Sequence, residues 1–314
     1  MTRLASLAAG LTIAVVGAVA LGAQAAPKAS VAPAATFDSA KAWEHLKQMV
    51  NIGPRPAGSA ALRQTRAYIT RQMSTLGLKV EEQTFTADTP VGKVDMVNLI
   101  VRLPGKRTDR LLFTGHYDTK PIRTSTFVGA SDGASSAAML LELVRVLKDQ
   151  PREYTYEFVW LDGEEAFCMD WSECGRPGSP DNTYGSRYYV QAAQKSGAIK
   201  TIKANILVDM VGDKDLRMMR ESKSTKGLVD IIWSTAKRLG YGANFLDQAT
   251  EIEDDHVPFL EAGIASVDII DLDYPQWHNL TCCDDLSHVA ERSLKIVGEV
   301  IVASVPAIEK FLLK

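Results

Sequence analysis

Four short apolar runs in this 314-residue chain each give way, within a few residues, to a carboxylate or an imidazole. Leu111-Leu112-Phe113-Thr114 leads into His116 and Asp118, and Glu157-Phe158-Val159-Trp160-Leu161 leads into Glu164 and Glu165. Ile206-Leu207-Val208 ends on Asp209, and Val267-Asp268-Ile269-Ile270 precedes the loop that carries His278. Between the runs lie stretches with helical apolar spacing, such as Ala137, Leu140, Leu141, Val144 and Leu147. Strands alternating with amphipathic helices constrain the chain to one open α/β sheet covered on both faces. Such sheets build their sites at the carboxyl ends of the strands.

The local pattern predicts helices over 40–50, where Asp38 is a plausible N-cap, and over 61–76, ending at Gly77. Strands are expected at 79–85, 96–102, 110–114, 154–161, 204–208 and 265–270. Further helices are expected over 133–148, 185–195 and 227–239, with a short one after Asp254 and a last one from about Ser287. No internal repeat or interior linker divides the chain, so one domain is expected over 38–314.

The first segment stands apart. Arg3, an apolar run over 4–21 and Ala23-Gln24-Ala25 read as a secretory signal peptide, residues 1–25, followed by an Ala/Pro/Ser-rich flexible tether over 26–37. A retained membrane anchor is the alternative, but the run ends in small residues without an aromatic or basic flank. Export, periplasmic or released, makes disulfides the favoured reading of Cys168, Cys174, Cys282 and Cys283, with the pairing open. Neither close pair has the spacing of a structural zinc knuckle. The net charge of −3 comes from scattered charges with no basic stripe, so neither nucleic acid nor an anionic membrane is an expected partner.

Taken singly, a Glu-Glu pair is usually solvated and a strand-end Asp is often a helix cap. Their joint placement is informative. Asp132, in the small-residue loop Gly129-Ala130-Ser131-Asp132-Gly133, joins the strand-end groups, and carboxylates with imidazoles are the donors that Zn²⁺ prefers in catalytic sites. Neighbouring glutamates point in different directions, so one can bind metal while the other faces substrate as acid and base. In His116-Tyr117-Asp118 the carboxylate is spaced to orient the imidazole.

Gly115-His116-Tyr117-Asp118, Gly129-Ala130-Ser131-Asp132, Asp162-Gly163-Glu164-Glu165, Val208-Asp209-Met210 and His278 resemble, in order, the metal-site motifs of the zinc aminopeptidase clan. Gly53-Pro54-Arg55 and Gly58-Ser59 resemble its N-terminal segment. Within the clan, Ala166-Phe167 with Trp171, Tyr184-Gly185-Ser186-Arg187, the segment from Glu253 through Asp254, Asp255 and His256 to Leu260, and Trp277-His278 are similar to the glutaminyl cyclase branch. The resemblance implies a single α/β domain with an open, mixed and mostly parallel sheet and helices on both faces. It implies one zinc held by Asp132, Glu165 and His278, with Glu164 as general acid/base and Asp209 and Asp254 as supporting carboxylates. Trp277 and Trp171, with Phe167 and Tyr274, would wall the substrate pocket. For these aromatics a plain core role is the alternative. For Asp254 it is a helix cap, and His256 reads as a supporting group.

The implied activity is cyclisation of N-terminal glutaminyl residues on peptides or proteins, with release of ammonia. The alternative on the same fold is a dinuclear zinc aminopeptidase, with His116 and Asp209 as further ligands and two zincs. A non-catalytic binding protein is disfavoured, because Glu164 and every ligand position are present.

Overall fold

The structure, a computed structural model, describes residues 1–2, 36–122, 124–176, 178–276 and 284–314. The expected leader, most of the tether, Trp277, His278, Cys282 and Cys283 lie outside the described residues. All that follows concerns the unit Ala34–Lys314.

Helix α1, Ser39–Ile52, starts where the Asp38 carboxylate accepts the N–H groups of Ala40 and Lys41, and it buries Ala42, Leu46 and Met49. It stops at Gly53, whose φ of 95° lies in the region glycine alone enters freely. Helix α2, Ala60–Thr75, is capped by Ser59, whose Oγ accepts the Leu62 N–H. Strands β1, Glu81–Thr89, and β2, Gly92–Leu103, form a hairpin that runs further into the turn than the apolar pattern indicated. The chain continues through β3 (Arg110–His116), α3 (Ser136–Leu147), β4 (Thr155–Leu161), α4 (Tyr184–Ser196) and β5 (Ile202–Asp209). It ends through β6 (Met218–Glu221), α5 (Lys226–Arg238), β7 (Phe245–Thr250), α6 (Val257–Glu261), β8 (Ala265–Ile270) and α7 (Glu291–Leu312).

Six strands pair in the order β1-β2-β4-β3-β5-β8. The β1–β2 and β2–β4 pairings are antiparallel, whereas β4, β3, β5 and β8 run parallel, as the mixed and mostly parallel expectation required. Side chains alternate across the sheet. Phe113 and Phe158 stack at 5.0 Å on the face that packs against residues of α1, α3, α5 and α7. Leu112, Val159 and Leu161 point the other way, onto Tyr189 and Val190 of α4 and Phe259 of α6. Each such side chain, fully buried, contributes roughly 1.5–3 kcal/mol. The two covered faces leave the carboxyl ends of β3, β4, β5 and β8 together along one edge.

Three local expectations need correction. The helix predicted from 133 begins at Ser136, because Ala130–Ser135 form a π-type turn broken by extended backbone at Asp132 and φ 93° at Gly133. The last helix begins at Glu291 rather than near Ser287, since Asp285 captures the N–H groups of Ser287 and His288 in a turn. The short parallel pair β6–β7 was not expected: β6 is only four residues long and carries no alternating apolar pattern. No helix among the described residues is long and apolar enough to cross a membrane. Cys168 and Cys174 form a disulfide, which gives that pair the bonding expected of an exported chain.

Candidate metal and catalytic site

The strand-end groups converge. Asp132, Glu164, Glu165, Asp209 and Asp254 line one small cleft together with Trp171, Met210, Ile252, Glu253 and Ile270. His116, at the end of β3, is buried beside it. Its Nε2 lies 3.0 Å from Asp209 Oδ1 and 3.2 Å from Asp132 Oδ1, and its Nδ1 lies 3.7 Å from Glu164 Oε2. Ligand atoms of His116, Asp132 and Asp209 all fall within 4.8 Å of one another.

Each acid is aimed by its backbone. Asp132 projects from the π-type turn, where Gly129 and Gly133 both have positive φ and a Cβ at either would meet a carbonyl oxygen at 2.3 Å. Asp284, far away in sequence, grips that turn: its carboxylate accepts the N–H groups of Ser131 and Asp132 at 2.9 and 2.8 Å, and its carbonyl accepts that of Ala130. The buried Arg55 guanidinium donates to the carbonyls of Val128 and Gly129 from below, at 2.7 and 3.0 Å. Arg55 belongs to the Gly53-Pro54-Arg55 segment, so that motif supports the Asp132 loop. Asp118 receives the N–H of Glu164 at 3.2 Å and that of Glu165 at 3.4 Å. Its Oδ1 also lies 3.5 Å from His116 Nδ1, so the carboxylate that holds the glutamate turn also faces the imidazole. Met210, immediately after Asp209, has φ 45°, an uncommon conformation for a side chain without a local hydrogen bond to support it. It turns the chain sharply at the strand end, where Asp209 Oδ1 accepts the Met210 N–H and the Ser136 hydroxyl.

The electrostatics call for a cation. Burial pushes the carboxyls of Glu164 and Glu165 well above their ordinary range, and for Glu165 the nearby Asp132 adds to this. Burial also raises Asp254, reinforced by Asp268, Asp209 and Glu164. For His116 burial works toward the neutral ring, but the Asp209 charge and contacts with Asp118, Asp132 and Asp209 hold its pKa well above 6.5. Lys120 Nζ stands 3.6 Å from Glu165 Oε2, a counter-charge that the sequence reading passed over. Even so, Glu165 Oε1 and His116 Nδ1 are buried with no hydrogen-bond partner among the described residues. Acids this closely packed, with a donor atom left over, are a set that a divalent ion would satisfy.

The expected aromatic walls divide. Trp171 lines the cleft. Phe167 instead packs edge-to-face on Tyr184 of α4, in a small apolar group with Met96 and Ala87. Tyr274 is fully buried behind Met210 and Ile270, with its hydroxyl bonded to Asp284, so it braces the Asp132 turn from outside the cleft. Asp254 does not cap α6 with its side chain: its carboxylate accepts the N–H of Asp255 and borders the cleft. His256 is enclosed between Glu221 and Asp268. Trp277 and His278 lie outside the described residues. Asp284 and Lys120 were missed by sequence reasoning. Asp284 carried no local signal, although Lys120 continues the alternation of His116 and Asp118.

A family model described as peptidase family M28 matches residues 98–305. Over 255 residues the chain is 31% identical to a mouse glutaminyl-peptide cyclotransferase-like protein, an alignment that takes in 71% of this chain. It spans 64% of that relative's length and the same share of its cattle counterpart. The fold is similar to the crystal structure of an Acidobacteriales bacterium glutaminyl cyclase, with TM-score 0.81 and 35% identity over 92% of this chain and 100% of that one. It is also similar to a leucine aminopeptidase precursor from Bacteroides thetaiotaomicron, with TM-score 0.78 and 26% identity over 88% and 99%.

Proposed function

Because the chain belongs to peptidase family M28, in its glutaminyl cyclase branch, we propose that it converts N-terminal glutaminyl residues of peptides or proteins to pyroglutamate with release of ammonia. The observation that carries this reading is one cleft that Glu164 lines together with Asp132, Glu165, Asp209, Asp254 and Trp171. The α-amine and the side-chain amide of the substrate are already tethered, so the reaction needs positioning more than an activated water. Glu164 takes a proton from the α-amine as its nitrogen bonds to the amide carbon. It returns that proton to the departing nitrogen as the old carbon–nitrogen bond breaks, and ammonia leaves. Acid–base assistance of this kind is typically worth about 10²–10⁴-fold. The raised pKa that burial gives Glu164 suits a group that must both accept and release a proton. Zinc, held by Asp132, Glu165 and His278, would polarise the amide oxygen as a Lewis acid. Asp209 and Asp254 hold Glu164 in an acidic setting, while Trp171 walls the ring-closing conformer and excludes water, the role that the family resemblance also implies for Trp277. The leader-like residues 1–25 and the disulfide support export to the periplasm or beyond.

A second reading rests on the convergence of His116, Asp132 and Asp209, the ligand types of a second metal. Similarity to the leucine aminopeptidase precursor points the same way. Zinc-loaded protein offered a glutaminyl peptide and an aminoacyl anilide in parallel separates the two. Ammonia with a pyroglutamyl product supports the cyclase. Free amino acid alone, with two zincs per chain, transfers the assignment to the aminopeptidase.

A further inference from the structure

We propose that the Cys168–Cys174 disulfide is a positioning pair for Trp171: by closing residues 168–174 into a ring, it holds the indole on the cleft and thereby sets affinity for substrate. This rests on the cyclase reading of the cleft, and on four structural observations.

Trp171 lies between the two bonded cysteines, three residues from each. It lines the cleft together with Asp132, Glu164, Glu165, Asp209 and Asp254. Among the described residues it belongs to none of the buried apolar clusters and stacks on no other ring, so neither of these holds it in place. The described residues between β4 and α4 contain no helix, and the one strand-like contact among them is the bridge between Arg176 and Ser179. A segment with so few backbone ladders opens locally at low cost unless something ties it.

One tie from α4 reaches the disulfide itself. Cys168 N–H donates to Asp181 Oδ2 at 2.9 Å, and the other oxygen of that buried carboxylate accepts the Tyr184 hydroxyl of α4 at 2.6 Å. Cys168 is therefore the anchored end. Within the ring, Glu173 Oε2 accepts the Met169 N–H at 2.9 Å and the Glu173 N–H donates to the Asp170 carbonyl at 3.1 Å, both exposed to water. The covalent bond carries the Asp181 anchor directly to the far end at Cys174. Gly175 lets the ring close: a Cβ there would come within 3.1 Å of the Trp171 carbonyl and 3.2 Å of the Asp181 nitrogen. Cys168, Cys174 and Asp181 also have metal-ligand character, but the sulfurs bond each other.

If the ring only stabilised the fold, its loss would lower the melting temperature without a selective effect on binding. A positioning role separates KM from kcat. The double variant Cys168→Ser/Cys174→Ser should raise KM for a glutaminyl peptide roughly 3- to 10-fold, the size expected from immobilising one large side chain and its loop anew. Its kcat should stay within about 2-fold, since Glu164 and the metal loop are held by other contacts. In a Trp171→Ala background the same cysteine change should alter KM by less than about 2-fold, because the residue being positioned is gone. An unchanged KM in the double variant overturns the proposal, as do effects that simply multiply in the Trp171→Ala background. If the variant does not fold, mild reduction of the folded wild-type protein replaces it. Hydrogen–deuterium exchange of the 168–174 segment, oxidised against reduced, reads the clamp without substrate. Exchange faster by an order of magnitude on reduction supports it, and unchanged exchange sinks it. Failure of the wild-type protein to cyclise, with that exchange response intact, would instead count against the cyclase reading.

Discussion

His256 Nε2 lies 3.1 Å from Glu221 Oε2, and both side chains are closed off from water. On its other side Nδ1 faces Asp268 Oδ2 at 3.6 Å. One imidazole thus lies between two buried carboxylates, and beyond Asp268 comes Asp254 at the cleft, whose own carboxyl the Asp268 charge helps to raise.

Removing that imidazole should be costly. Burial alone would lower the His256 pKa, but the Glu221 contact and the Asp268 charge outweigh it and raise it above 6.5. Burial would raise Glu221, yet His256, the Lys223 N–H and the Ser224 hydroxyl bring it down to about 2. His256→Ala leaves both carboxylates without their cation, for a loss of about 3–5 kcal/mol in urea unfolding. The imidazolium contribution is fully present below pH 6.5 and fades as pH rises through the folded-state pKa. The gap between wild type and variant should therefore narrow toward alkaline pH. A gap that widens there would contradict the protonated assignment.

Glu164→Gln should retain metal and fold but lose turnover by about 10²–10⁴-fold. Circular dichroism and metal content check the first half, and ammonia release checks the second. Full activity in this variant would remove Glu164 from the proton transfer.

Asp284 never borders the cleft, but it receives the N–H groups of Ser131 and Asp132. Asp284→Ala should weaken zinc binding by about 10–100-fold, the usual consequence of releasing a ligand's support. Competition with a chromophoric chelator measures this. Unaltered affinity would mean that Gly129, Gly133 and Arg55 suffice to shape the turn.

His45 offers a pH probe remote from the cleft. Its Nδ1 is 2.7 Å from the Tyr68 hydroxyl, and burial lowers its pKa to about 4. The unfolded chain takes up this proton first, so stability should fall as pH drops from 6.5 toward 4, by about 1–3 kcal/mol for this partly exposed group. His45→Gln should flatten that part of the wild-type pH–stability curve. An identical slope in the variant would assign the acid sensitivity elsewhere.

Zinc itself should stabilise the fold by mass action. Dialysis against a chelator should lower the melting temperature and abolish ammonia release, with both restored by zinc. A melting temperature indifferent to zinc would argue against a site in the cleft.

The amino-acid sequence alone determined the alternation of strands and helices and the placement of an acid or imidazole at the ends of β3, β4 and β5. Both are local patterns: side chains repeat every two residues along a strand and every 3.6 along a helix, whatever the rest of the chain does. It also announced Asp38 as a cap and Trp171 as a residue near the glutamate pair. Only the tertiary structure decided that Asp284 and Arg55 grip the Asp132 turn and that Glu221 meets His256. It also decided that Phe167 and Tyr274 pack away from the cleft. Those contacts join segments far apart along the chain, through carbonyls, N–H groups and buried charges. No sequence periodicity encodes such pairs; they exist because desolvated polar groups must find partners once the sheet has brought them together.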